Sequence, residues 1–128
     1  MRVLLDTHAI IWYFESDARL SPTALAAIDD TANHPSVSIA SAWEMAIKTS
    51  NGRLHLEVSL QTMLSEGLTA AGITLLQLSL AHIFAVTTLP QHHRDPFDRM
   101  LIAQALVEQL PIVSIDTALD AYGIERIW

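Results

Sequence analysis

Cysteine is absent from the 128 residues. That excludes disulfides and thiolate metal sites, and it is compatible with a reducing compartment. Positive charge is scarce: seven Lys and Arg stand against fourteen Asp and Glu, a net charge of −7. Proteins that hold nucleic acid through a broad basic patch do so by releasing counterions from phosphates with Lys and Arg. A chain this acidic therefore needs another source of positive charge if it is to act on phosphate. No stretch approaches the roughly 20 apolar residues of a membrane span. The beginning, MRVLLDTHAIIWYF, is interrupted by Asp6 and His8 and lacks a signal-peptide cleavage pattern, so a soluble, cytoplasmic protein is expected. Internal repeats, low-complexity segments and linkers are also missing, and the length suits one domain spanning residues 1–128.

What the chain has in quantity is apolar side chains, 51% of residues against 16% charged. The excess hints at a buried interface between chains. The apolar residues fall into an alternating order. VLLD (3–6), PSVSIA (35–40), ITLLQL (73–78) and LPIVSID (110–116) read as strands, apolar throughout rather than every second residue. Between them lie helical stretches: THAIIWYFE; SPTALAAIDDTANH with Ser21 as N-cap and Pro22 at its first position; SAWEMAIKTSNG stopping at Asn51-Gly52; SLQTMLSEGLTAAG; and SLAHIFAVTTL ending before Pro90. A further helix begins near Pro96, and TALDAYG and a short IERIW close the chain. This order predicts an α/β fold, a parallel sheet with helices on both faces. Ligands of such sheets bind beyond the carboxyl ends of the strands, where strand order reverses.

Four acids are expected at that edge. Asp6 and Asp116 end strands; Glu44 and Asp98 fall in first turns of helices. Each has a structural explanation. Asp6 and Asp116 suit N-caps, Ser41-Ala42-Trp43-Glu44 fits a capping box, and Asp95-Pro96-Phe97-Asp98 reads as N-cap, N1 and N3. Asp98 nevertheless continues the stripe of Leu101, Ile102, Ala105 and Leu106, where a purely solvated charge is out of place. Two carboxylates about 4 Å apart repel by roughly 4 kcal/mol at an effective dielectric of about 20. A cluster of them therefore takes up protons or a cation. With oxygen ligands alone on offer, Mg²⁺ or Mn²⁺ is expected rather than zinc, and the metal supplies the missing positive charge.

The stretches LLDTHAIIW, SAWEMAIK, HHRDPFDRMLIAQA and VSIDTALDAYG, in this order, resemble PIN domains, and in particular the VapC-type toxin ribonucleases of toxin–antitoxin pairs. The resemblance covers essentially the whole chain. It implies a PIN-like three-layer sandwich and a metal-dependent endoribonuclease whose four-carboxylate site (Asp6, Glu44, Asp98 and Asp116) binds Mg²⁺ or Mn²⁺ and hydrolyses RNA phosphodiesters. Ser114 falls where such domains carry Thr or Ser, two residues before the last acid, and is expected to orient the cluster. A cognate antitoxin and a homodimer are implied as partners.

Smaller expectations surround these. Arg94 and Arg99 flank the acids, placed either to hold phosphate or antitoxin or as solvated helix-end side chains. His92 and His93 are adjacent and so poorly arranged to share an ion; His8 is expected to pack on the first helix. Trp12 and Trp43 are expected in the core rather than as base-stacking platforms, and Thr7 and Lys48 lie where they could touch the site but are assigned no role. One rival, a haloacid-dehalogenase-type phosphatase, wants a second Asp two residues after the first, where this chain has His8. The alternative function is a non-catalytic PIN-fold interaction module.

Overall fold

The computed structural model describes residues 1–128. Five short strands, β1 (Arg2–Leu5), β2 (His34–Ser38), β3 (Thr74–Leu76), β4 (Ile112–Val113) and β5 (Arg126–Ile127), form one sheet in the order β3-β2-β1-β4-β5. Every pairing is parallel. The helices are α1 (Thr7–Phe14), α2 (Pro22–Asp29), α3 (Ile39–Ser50), α4 (Leu60–Thr62), α5 (Leu68–Ala70), α6 (Leu80–Val86) and α7 (Pro96–Glu108). A π-helical turn (Met63–Gly67) joins α4 to α5, and a 3₁₀ turn (Thr117–Tyr122) follows β4. No helix is long and apolar enough to cross a membrane.

The predicted α/β class with helices on both faces is the one observed. Successive residues of β1 point to opposite sides, and both sides are dry because each is covered by helices. Val3 and Leu5, with Val37 and Val113, pack against Ile10 and Trp12 of α1, Ile28 of α2 and Met45 of α3. Leu4 and Ile112 pack on the other face against Leu101, Ile102 and Ala105 of α7. Each such leucine or isoleucine contributes about 1.5–3 kcal/mol by leaving water. That is why β1 and β4 have no polar alternation, whereas β2 carries buried Ser36 and Ser38 on either side of Val37. The edge strand β3 is covered less well, and its Leu75 stays exposed.

Three readings need correction. IERIW was assigned no element and supplies β5, pairing Arg126 and Ile127 with Ile112 and Val113. Helix α3 starts three residues earlier than the capping box implied: Ser38 caps it, accepting from Ala40 N at 3.0 Å, and Glu44 lies in the second turn. Leu106 leaves the apolar stripe of α7 and is exposed, while Leu101, Ile102 and Ala105 are buried.

The chain passes from β1 outward through β2 to β3, then returns to the other side of β1 to make β4. Strand order therefore reverses between β1 and β4, where Asp6 N donates to Val113 O at 3.1 Å. Helix α7 ends just before β4 and runs back over it, so its first turn stands above the carboxyl ends of these two strands.

Candidate carboxylate centre

Asp6, Ser114, Asp116 and Asp98 line one small cavity at this switch point, floored by Leu101, Ile112 and Leu119. Its volume is about 20 Å³, room for a single water-sized sphere. Three of the four expected acids thus come together from β1, the end of β4 and the first turn of α7.

Local structure fixes each of them. Asp6 is the N-cap of α1, its Oδ1 accepting from Ala9 N at 2.7 Å. Asp116 caps the 3₁₀ turn, its Oδ1 accepting from Ala118 N at 3.0 Å. Asp95 caps α7 by accepting from Phe97 N and Asp98 N at 2.8 and 3.0 Å. The capping readings hold, and they use Oδ1 in each case. The Asp98 carboxylate makes no hydrogen bond at all. Ser114 is fully buried, and its Oγ accepts from Asp116 N at 3.0 Å.

Glu44 is buried beside this cavity and does not line it. Its Oε1 lies 2.7 Å from the Thr7 hydroxyl, and its Oε2 accepts from Lys48 Nζ at 2.6 Å. The Thr7 hydroxyl is also 2.9 Å from Ser41 Oγ. Thr7 and Lys48, which had no role, are the partners of the fourth acid. His93 was discounted as half of an adjacent pair and proves to be the partner of Asp116. Its Nε2 lies 2.7 Å from Oδ2, and its Nδ1 lies 3.2 Å from the Tyr122 hydroxyl. An ionised carboxylate can only accept, so Nε2 carries the proton. No sequence signal joins positions 93, 116 and 122.

The electrostatics follow from this placement. Burial pushes the Asp6 carboxyl up, and the nearby Asp116 adds to that, against hydrogen bonds from Ser114 and Ala9. Asp98 is pushed up to about 6, first by burial and then by the charges of Asp95, Glu44 and Asp116. Asp116 goes the other way: partial burial raises it, but hydrogen bonds from His93 and Ala118 and the charges of His93 and Arg126 outweigh that. Two carboxyls held above their ordinary range beside a third are a place where a cation relieves strain.

No three His, Asp or Glu side chains stand close enough to hold an ion as they are now arranged. In donor chemistry and size the cavity fits one all the same: three carboxylates, one hydroxyl, oxygen throughout, and space for one sphere.

The remaining expectations divide. His8 packs on Trp12 with ring centroids 5.4 Å apart, and Trp12 is core as expected. Trp43 is not: it is 62% exposed and meets Phe97 edge-on. Arg99 neither reaches the acids nor stays solvated, because its guanidinium donates to the carbonyls of Val86, Leu89, Pro90 and His93. Arg94 borders an apolar cleft with Trp43, Phe97 and Met100.

A family model described as PIN domain matches residues 3–125. No curated protein matches the chain. Among solved structures, a toxin-antitoxin complex from Klebsiella pneumoniae is similar, with a TM-score of 0.53 over 90% of this chain and 87% of that one. Sequence identity is 15%, so the likeness is one of fold.

Proposed function

The chain belongs to the PIN domain family, and from that premise we propose that it is a metal-dependent endoribonuclease, the toxin of a toxin–antitoxin pair, with Asp6, Asp98 and Asp116 as its metal-binding acids. The observation that carries this reading is the cavity in which those three carboxylates and Ser114 face one ion-sized space at the switch point of the sheet. Mg²⁺ and Mn²⁺ are the cations that fit an all-oxygen site of this size.

When bound, such a cation supplies neutralisation of phosphate charge and a water acidic enough to attack phosphorus at neutral pH. The protein's own groups prepare for that. The N–H of Ala9 holds one oxygen of Asp6, and at Asp116 the Ala118 N–H holds Oδ1 while His93 Nε2 holds Oδ2. His93 holds Asp116 ionised through Nε2, and Leu101, Ile112 and Leu119 keep bulk water from beneath the acids. Asp98, which burial and neighbouring carboxylates raise to about 6, is ionised at neutral pH and would be one of the groups that hold the cation. Glu44 is the fourth acid of the proposal; the Thr7 hydroxyl and Lys48 Nζ hold its two oxygens at the border of the cavity.

Partners follow the same reading. The structural neighbour is a toxin-antitoxin complex, which supports an antitoxin for this chain. A homodimer is supported by apolar side chains left in water, among them Trp43, Leu80, Ile83 and Phe84.

The test is cleavage of a mixed RNA pool by antitoxin-free protein with Mg²⁺, with Mn²⁺ and with EDTA, beside Asp98→Asn. Metal-dependent cleavage that the variant lacks is the expected result. Cleavage retained by Asp98→Asn, or unaffected by EDTA, refutes the assignment. The second reading, a PIN fold that binds without cutting, is favoured by the Glu44–Lys48 ion pair, which occupies the fourth acid. It predicts a folded protein with no cleavage and no growth defect on expression.

A further inference from the structure

The shortage of positive charge has a spatial answer as well as a chemical one. The largest cleft of the molecule, about 500 Å³, lies between α1, the end of α3 and the loop 51–55. Three of the seven Lys and Arg (Arg19, Lys48 and Arg53) and two of the six His (His8 and His55) line it, against one acid, Glu15. A protein with net charge −7 has gathered cations in one place.

The cations are not equivalent. Arg19 is committed to Asp17, which it meets at 2.7 Å, and it lies over the Trp12 ring at 4.9 Å. Lys48 is committed to Glu44. The Arg53 guanidinium has no partner in the chain, and both Arg53 and His55 are exposed. Arg53 is held at the cleft by its backbone. Gly52 takes φ 78° after the last turn of α3, and Arg53 N then donates to Lys48 O at 2.9 Å and to Asn51 Oδ1 at 3.1 Å. The positive φ is open to glycine at no steric cost, so the turn sets a fixed root for a free side chain.

The cleft also adjoins the acids. Thr7 and Lys48 line it and at the same time hold the two oxygens of Glu44, so one wall serves both places. A chain of phosphates lying on the carboxylate centre would reach the cleft past this wall, where Lys48 is paired with Glu44.

We propose that this cleft binds the sugar-phosphate backbone of a single-stranded RNA next to the point of cleavage, with Arg53 and His55 donating to phosphate oxygens. The proposal rests on the ribonuclease reading. It adds a site that holds substrate without any metal.

The test is fluorescence anisotropy of an unstructured RNA oligonucleotide with the full chain in EDTA, across a salt series. Wild type is compared with Arg53→Ala, His55→Ala and Arg2→Ala, the last an exposed arginine on the opposite edge of the sheet. Arg53→Ala is expected to bind several-fold more weakly and to lower the slope of log K against log salt by about 0.7, the value for one single-strand phosphate contact. His55→Ala is expected to fall in the same direction by less, and Arg2→Ala to match wild type. In Mg²⁺, Arg53→Ala should raise KM several-fold and leave kcat within about twofold, since the residue touches bound RNA rather than the reacting phosphate.

Wild-type affinity and slope in Arg53→Ala, or an equal loss in Arg2→Ala, overturn the cleft assignment. If wild type still cuts RNA with Mg²⁺, the ribonuclease reading survives that result. A wild type that neither binds nor cuts RNA overturns both. Binding of polyglutamate, lost in Arg53→Ala while RNA affinity is unchanged, would give the cleft to an acidic protein segment and overturn the RNA assignment.

Discussion

Replacing Asp98 by Asn should make the metal-free protein more stable while abolishing its proposed activity. Asp98 titrates at about 6 in the fold against an ordinary 3.8. Its folded-state pKa is raised, so the fold favours the protonated carboxyl. Above pH 6 the ionised group destabilises the native state by the full shift, and that cost disappears as pH falls through 6 towards 3.8. Two units correspond to about 3 kcal/mol. The carboxyl is partly open to solvent, which screens the charges that cause the shift, and about 1–2 kcal/mol is the discounted figure. Asn has the same shape without charge, and it forfeits no side-chain hydrogen bond because Asp98 makes none. For a domain of this size the gain is about 3–8 °C in Tm. The assay is thermal unfolding in EDTA at pH 8, 6.5 and 5. The variant should lead wild type by most at pH 8 and by progressively less towards pH 5. Mg²⁺ should then raise the Tm of wild type by mass action and leave the variant nearly where it was. A variant that melts at or below wild type at pH 8, or a gain that does not change with pH, refutes the placement of Asp98 among uncompensated charges.

Ser114→Ala leaves the part-buried Asp116 N–H without its acceptor, and should cost about 1 kcal/mol in a urea melt. It also removes a donor that lowers Asp6, so half-maximal cleavage should need more Mg²⁺; an unchanged midpoint and metal requirement would refute both roles. His93→Gln removes the ring that holds Asp116. Metal affinity by calorimetry should fall about tenfold or more, as for other outer-shell partners of ligands, and wild-type affinity would show that His93 is incidental. Arg99→Ala unties the segment 86–93 from α7. Loss of about 2–3 kcal/mol with RNA affinity and salt slope unchanged is expected; the reverse pattern would make Arg99 a phosphate contact after all.

The strand–helix alternation was legible because a sheet covered on both faces demands unbroken apolar runs, and VLL and PIV supplied them; β2 is the exception, with buried Ser36 and Ser38 around Val37. β5 was not legible, since two residues of an edge strand in IERIW carry almost no pattern. Helix α3 shows how a local rule misleads. Ser41 reads as the N-cap because Glu44 follows at the capping-box distance, and Ser38 reads as part of the strand. The strand in fact delivers Ser38 to the cap. That shift moves Glu44 from the first turn to the second, with Ser41 and Lys48 three and four residues to either side. Trp43, expected in the core, lies about 100° round the helix from Glu44 and faces water.

His93 meets Asp116 across 23 residues, and the acid centre was legible only in part for a related reason. At the carboxyl edge of a parallel sheet, the residues that cap the following segments are the residues that face a ligand. Asp6 and Asp116 both cap and line the cavity, and Asp95 caps without lining it, so a capping signal can neither support nor oppose a site at these positions. Asp98 separates the two explanations. It caps nothing, accepts no hydrogen bond, and sits where burial and three neighbouring carboxylates hold it near pH 6. Folding alone gives no use for a charge in that position, and a neutral residue of the same size would serve the fold better. A carboxylate kept at a cost to stability is what the proposed cation would account for, and Asp98 supports that proposal where the three capping acids cannot.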